Sequence, residues 1–218
     1  MANARVMRAM VLSELDRHYS FTGNEMVIDE MLLTDWMAVS NGVRADVAIL
    51  SPTLAIGVEI KAKTDNLNRL RNQAVGYDLI FDENWVAVDS KHLSGALEII
   101  PKYWGVLVLG DGGMNVWRTP EINPARSLRA MLERVWVQDV RWLIKNNPEL
   151  DMGPGLASRG KATLIKHVLL HTGNKGMEYR RQLLCRYQDR RSGALPMTRR
   201  GNTFGPTSTI AIELGRVS

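Results

Sequence analysis

Apolar positions near the start of the chain recur at helical spacing. In NARVMRAMVLSELDRHY, Val6, Met7, Met10, Val11 and Leu15 share one face, which predicts a first helix. NEMVIDEMLL, after Gly23, reads as a second short helix with Asn24 as its N-cap, and WMAV as a first short strand. ADVAIL and LAIGVEIKA then read as strands joined by the turn residues SPT, a β-hairpin. TDNLNRLRNQAVGYDLIF returns to helical spacing, with Leu67, Leu70, Ala74 and Tyr77 on one face and Asp65 placed to cap it. WVAVD and WGVLVLG are short apolar runs of the buried-strand kind, separated by the helical SGALEII. MNVWR completes a second hairpin through LGDGG. SLRAMLERVWVQDVRWLIKNN predicts one long helix, broken by NPELDMGPG. Beyond it, GKATLIKHVLLHT and MEYRRQLLCRYQDRR predict two basic helices, followed by a Gly/Pro/Thr-rich end.

The break sets the expected domain boundary: residues 1–147 form the main domain and 148–218 a basic helical region with a loosely ordered end. Charge follows the same division. Residues 1–150 carry 16 Lys and Arg against 19 Asp and Glu, whereas residues 151–218 carry 12 against 4. A slightly acidic body joined to a basic segment suggests an acidic site beside something that attracts a polyanion, and a solvated helical face is the alternative. The single cysteine, Cys185, excludes an internal disulfide and no Cys/His cluster has zinc-ligand spacing, so a reducing compartment is expected. With no signal-peptide-like N-terminus and no run of about 18 apolar residues, the expectation is a cytoplasmic protein with no membrane contact.

The first hairpin poses the chemical question, because Asp46, Glu59 and Lys61 interrupt strands otherwise fit for a core. Alternate strand residues share a face, so Ile56, Val58 and Ile60 point one way and Gly57, Glu59 and Lys61 the other, expected to be the open face. If residues 51–54 form the turn, Leu50 pairs with Ala55 and Asp46 comes opposite Glu59. A one-residue change of loop length would shift that register. Two like charges facing across a ladder are destabilising unless a cation lies between them or one carboxyl is protonated. Two carboxylates with room for waters suit Mg²⁺, and Lys61 on the same face is a partner for an attacking water or for charge developing on phosphorus. The competing reading is a surface salt-bridge ladder, which would contribute little.

The series Asp46, Glu59, Lys61, on a hairpin followed by a helix, resembles the PD-(D/E)xK nuclease superfamily, with Ala45 where a proline usually precedes the first acid. The run ADVAIL...GVEIKAKTDNLNRLRNQAVGY...VAVDSKHL...PKYWGVLVL is similar, more narrowly, to small uncharacterised bacterial and phage nuclease-like proteins of that fold. The likeness is weaker in the basic C-terminal helices. The resemblance implies an α/β protein with a restriction-endonuclease-like αβββαβ core, a mixed sheet flanked by helices, and a basic helical C-terminal extension. It implies Mg²⁺ or Mn²⁺ held by Asp46, Glu59 and the main-chain carbonyl of Ile60, and hydrolysis of phosphodiester bonds. DNA is the expected substrate, with RNA and a homodimer left open.

Gln73 and Tyr77 stand four apart, as in the QxxxY motif of several nuclease branches, and Arg69 extends the stripe. The resemblance gives them substrate positioning; the alternative is a core tyrosine beside surface residues. Glu30, on the early helix, is the candidate for a further metal-side acid, with Glu14, Glu25 and Asp29 competing. His92 matches a histidine that recurs after the next strand of the resembling proteins; it would contact phosphate or cap the helix near Leu93. Arg71, Arg159, Lys161, Lys166, Arg180 and Arg181 complete the expected nucleic-acid contacts. His167 and His171 are read as surface residues, Trp104, Trp117, Trp136 and Trp142 as core, and Cys185 as buried. Two functions of other classes remain: a nucleic-acid-binding module of repair or phage-defence type that does not cut, and a basic module that binds an acidic protein.

Overall fold

The computed structural model describes residues 4–23, 25–32, 43–51, 53–150, 153, 155–156 and 158–191. WMAV, Asn24 and the Gly/Pro/Thr-rich end lie outside them. The described part is α/β, a six-stranded mixed sheet flanked by helices. In chain order the elements are α1 (Ala4–Tyr19), β1 (Met26–Leu32), β2 (Arg44–Leu50), β3 (Ala55–Lys61), α2 (Leu70–Ile80), β4 (Glu83–Asp89), α3 (Leu93–Ile99), β5 (Gly105–Gly110) and β6 (Gly113–Arg118). Four more helices follow: α4 (Leu128–Arg134), α5 (Val137–Asn146), α6 (Lys161–His171) and α7 (Gly176–Arg191). The strands lie in sequence order across the sheet. β3, β4 and β5 run parallel, and β1–β2, β2–β3 and β5–β6 are antiparallel. α2 and α3 supply the crossovers that parallel neighbours require.

Each sheet face has its own apolar cluster. On one, α1 lays Met7, Val11 and Leu15 against Val47, Ile49, Ile56, Val58 and Ile60. On the other, Ala48, Leu50, Ala55, Val86 and Val88 pack beneath α2, and this cluster continues without a break into Leu143, Leu164, Val168, Tyr179 and Leu183. The helices beyond Asn147 thus share a core with the sheet. Every residue of β3 is buried, Glu59 and Lys61 included, so the face expected to be open is covered by α2.

Two predicted helices turn out differently. MVIDEML, within the predicted helix, is strand β1: Glu30 adopts φ 51°, and the pairing with β2 is interrupted opposite Asp46 while continuing in the same register on both sides. Ile28 and Met31, three apart, consequently enter the same cluster and imitate a helical period. The long helix after Ser127 is two, α4 and α5, because Val135 and Trp136 are both extended. α2 starts at Leu70, since the preceding residues are taken by turns. Asp65 closes one of them, exchanging bonds with the Ala62 backbone, and Asn66 accepts from the Asn68 N–H, so Asp65 does not cap the helix.

Candidate active site

The β2–β3 hairpin has the expected register, Leu50 with Ala55 through to Val47 with Val58. The ladder stops one rung short of Asp46 and Glu59. There the Asp46 carboxylate accepts the Ile60 N–H at 2.7 Å, taking the place of a backbone acceptor. The Asp46 N–H donates to the Tyr77 hydroxyl at 3.1 Å. Since β1 also breaks its pairing opposite this residue, Asp46 lies at an interruption shared by both of its neighbouring strands.

α2 reaches this opening through its ring at Tyr77. Gly57, two residues before Glu59 on the same face, makes the approach feasible: a Cβ there would lie 2.2 Å from Phe81 and 2.7 Å from Tyr77. The Tyr77 hydroxyl lies 3.0 Å from the Val58 carbonyl and 2.8 Å from Glu59 Oε2, and shares its one hydrogen between them. Lys61 Nζ donates to Glu59 Oε1 at 2.6 Å and to Gln73 Oε1 at 2.9 Å. The four side chains form one connected network.

Its electrostatics follow from burial. Glu59 is 1% exposed and Lys61 5%, so the pair is an interior ion pair and the surface-ladder alternative is excluded. Burial pushes the Asp46 carboxyl up to about 7, helped by the negative charge of Glu59; the Ile60 N–H and Lys61 act in the opposite sense. Burial also raises Glu59, against the pull of Lys61, and holds the Tyr77 phenol well above its usual range.

Outward from the network runs a cleft of about 480 Å³, lined by Asp46, Glu59, Ile60, Lys61 and Gln73, by Thr64, Asp65, Asn66 and Arg69 before α2, by Asp29 and Glu30 of β1, and by Arg5 and Arg8 of α1. Glu30 reaches it from a strand and not from a helix, and its charge adds to the upward push on Asp46. Its left-handed backbone is strained for a non-glycine residue, a cost found most often where a side chain must be aimed. The acids that competed with it have other partners: Asp29, although it lines the cleft, holds Arg8 through two bonds at 2.5 and 2.9 Å, while Glu14 pairs with Arg17 and Glu25 accepts from the Gly23 N–H, both outside the cleft.

Other expected contacts are placed differently. Tyr77 is fully buried, so it holds Glu59 and Asp46 and cannot touch a substrate. Arg180 is 2% exposed and donates to the Ile80 carbonyl at 2.6 Å, which fixes α7 to the end of α2 and removes it from any surface. Arg71, Arg159, Lys166 and Arg181 are exposed, and Lys161 donates to the Glu133 carbonyl; none lines the cleft. Nor does His92, whose side chain does not cap α3 and whose buried Nε2 has no hydrogen-bond partner among the described residues. His167 is buried against the Leu150 carbonyl and only His171 is exposed. Trp104 is core as expected, whereas Trp117 is 52% exposed on β6. Cys185 is half-buried.

A family model described as bacteriophage P4 protein cII matches residues 2–201. The chain belongs to that family. No curated protein matches this P4 cII family member. Among solved structures it is similar to the SPO1766 protein of unknown function from Silicibacter pomeroyi, at 19% identity and a TM-score of 0.42, over 72% of this chain and 97% of that one. No described helix is long and apolar enough to cross a membrane.

In this P4 cII family member, sequence reasoning missed the cleft residues Arg5 and Arg8 of α1 and Thr64, Asp65 and Asn66 before α2. The α1 pattern did contain a signal: both arginines stand beside apolar positions on a helix whose other residues cover a sheet face.

Among the described residues no three His, Cys, Asp or Glu side chains converge to hold a metal on their own. Two carboxylates and main-chain oxygen nevertheless suit Mg²⁺ or Mn²⁺, which keep several waters and take one or two protein carboxylates.

Proposed function

We propose that this chain is a metal-dependent nuclease with a restriction-endonuclease-like core, hydrolysing phosphodiester bonds in DNA. The observation that carries the reading is Asp46 and Glu59 at the opened end of the β2–β3 ladder, with Lys61 Nζ 2.6 Å from Glu59, on the floor of a cleft that carries arginines. Asp46, Glu59 and the main chain of Ile60 would hold the cation, with Glu30 beside them.

A bound Mg²⁺ or Mn²⁺ supplies Lewis acidity toward the phosphate and a water of lowered pKa. The chain's residues do the remainder. Gln73 accepts a second bond from the Lys61 ammonium that Glu59 also holds, so the charge would be fixed in place before negative charge develops on phosphorus and would need little reorganisation during the reaction. Tyr77 keeps one Glu59 oxygen fixed while Lys61 holds the other. Burial of the network excludes bulk water and strengthens each of these interactions.

Incubation with linear duplex and circular single-stranded DNA, in Mn²⁺ or in EDTA, tests the reading. Cleavage in Mn²⁺ that is lost in EDTA and in Lys61→Ala supports it. Binding without cleavage by the folded protein would instead support a nucleic-acid-binding module that does not cut.

A further inference from the structure

The cleft's charged walls come from opposite sides of the sheet. Arg5 belongs to α1, which packs on one face, and Arg69 immediately precedes α2, which packs on the other. Both are exposed, and neither makes an ion pair among the described residues, whereas Arg8, also in the lining, is paired with Asp29. Arginine presents a planar fork of donors that matches phosphate oxygens. The cleft also carries Asp29, Glu30 and Asp65, so without these two guanidiniums it would repel a polyanion.

Size and depth restrict what can enter. At about 480 Å³ the cleft is of the order that encloses a small molecule or a nucleotide unit, ~300–1,000 Å³. Glu59 and Lys61 lie on its floor and are almost without exposure. A phosphate must be drawn inward to reach them. One flexible strand can bend in that way, but a phosphate in a paired duplex is held in place by its own helix.

We infer that the cleft takes a single DNA strand, with Arg5 and Arg69 gripping backbone phosphates from opposite walls on either side of the recessed acids. The inference rests on the nuclease reading of the same site.

The test is fluorescence anisotropy in EDTA over a range of salt concentrations, with a labelled oligothymidylate and a blunt, fully paired duplex of the same length. Each phosphate contact on a single strand contributes about 0.7 to the slope of log K against log salt. Arg5→Ala/Arg69→Ala should therefore flatten the single-strand slope by about 1.4. Lys102→Ala/Lys145→Ala, which removes two exposed charges outside the cleft, should leave it unchanged. Wild type should bind the single strand more tightly than the duplex. An unaltered slope in Arg5→Ala/Arg69→Ala, or equal affinity for the blunt duplex, would overturn the inference. Cleavage of the same strand in Mn²⁺ is scored separately: a flattened slope without cleavage removes the nuclease reading alone, and cleavage with an unaltered slope removes the clamp alone.

Discussion

The Tyr77 hydroxyl accepts the Asp46 N–H at 3.1 Å and lies 2.8 Å from Glu59 Oε2, so one buried oxygen joins the two acids of the candidate site. Helix α2 and the hairpin are registered to each other by that atom. Tyr77→Phe should preserve the ring packing against Phe81 and Trp104 yet leave the Asp46 N–H without its acceptor. A buried polar group left unpaired costs about 1–3 kcal/mol. Urea denaturation should show a loss of that size, and an unchanged midpoint would remove Tyr77 from the architecture of the site.

The Asp46 carboxyl gives a pH dependence of definite sign. In the unfolded chain it titrates near 3.9, and in the folded protein near 7. Between those values the folded state binds more protons than the unfolded one, so stability in EDTA should fall as pH rises from about 4 to about 7. Asp46→Asn, which can still accept the Ile60 N–H, should flatten this decline. Parallel melting-temperature profiles for wild type and Asp46→Asn would assign the dependence to other groups.

Adding a cation should reverse part of that loss. Mn²⁺ or Mg²⁺ should raise the melting temperature of the wild type, since a ligand bound only by the folded state stabilises it. Asp46→Asn and Glu59→Gln should show a smaller rise. Equal rises in all three proteins would place the cation elsewhere.

Glu59 and Lys61 form a pair that water barely reaches. Removing one partner of a buried pair typically costs about 3–5 kcal/mol, because the other charge is stranded. Lys61→Met should be destabilised on that scale, and Glu59→Gln/Lys61→Met should recover part of the loss. Additive effects in the double-mutant cycle would show that the pair is not coupled.

Gly57 is the opening through which Tyr77 and Phe81 approach β3. Gly57→Ala would place a methyl group 2.2 Å from a Phe81 ring carbon, so the ring or the helix must shift. Overpacking of this kind costs about 1–3 kcal/mol. Calorimetry should show a lowered melting temperature, and a wild-type value would mean that α2 yields without cost.

Residue type and period by themselves determined the hairpin, its register from Leu50 and Ala55, the α1 face of Met7, Val11 and Leu15, and the grouping of Asp46 with Glu59 and Lys61. These are local properties: alternation, turn chemistry and the repulsion of neighbouring acids act over a few residues or across one ladder. Only the tertiary structure decided that the charged face of β3 lies beneath α2, since covering it depends on a helix that follows after an intervening loop. The same holds for β1. Ile28 and Met31 share a face because Glu30 breaks the pleat opposite Asp46, and a spacing of three is then indistinguishable in sequence from a helical turn. The fate of individual cations was hidden in a related way. Arg180, expected among the nucleic-acid contacts, is spent on the Ile80 carbonyl in the core, while the cleft draws its arginines from α1 and from the residue before α2. Which cations face an acidic site is fixed by how helices dock on the sheet, and composition contains no record of that docking.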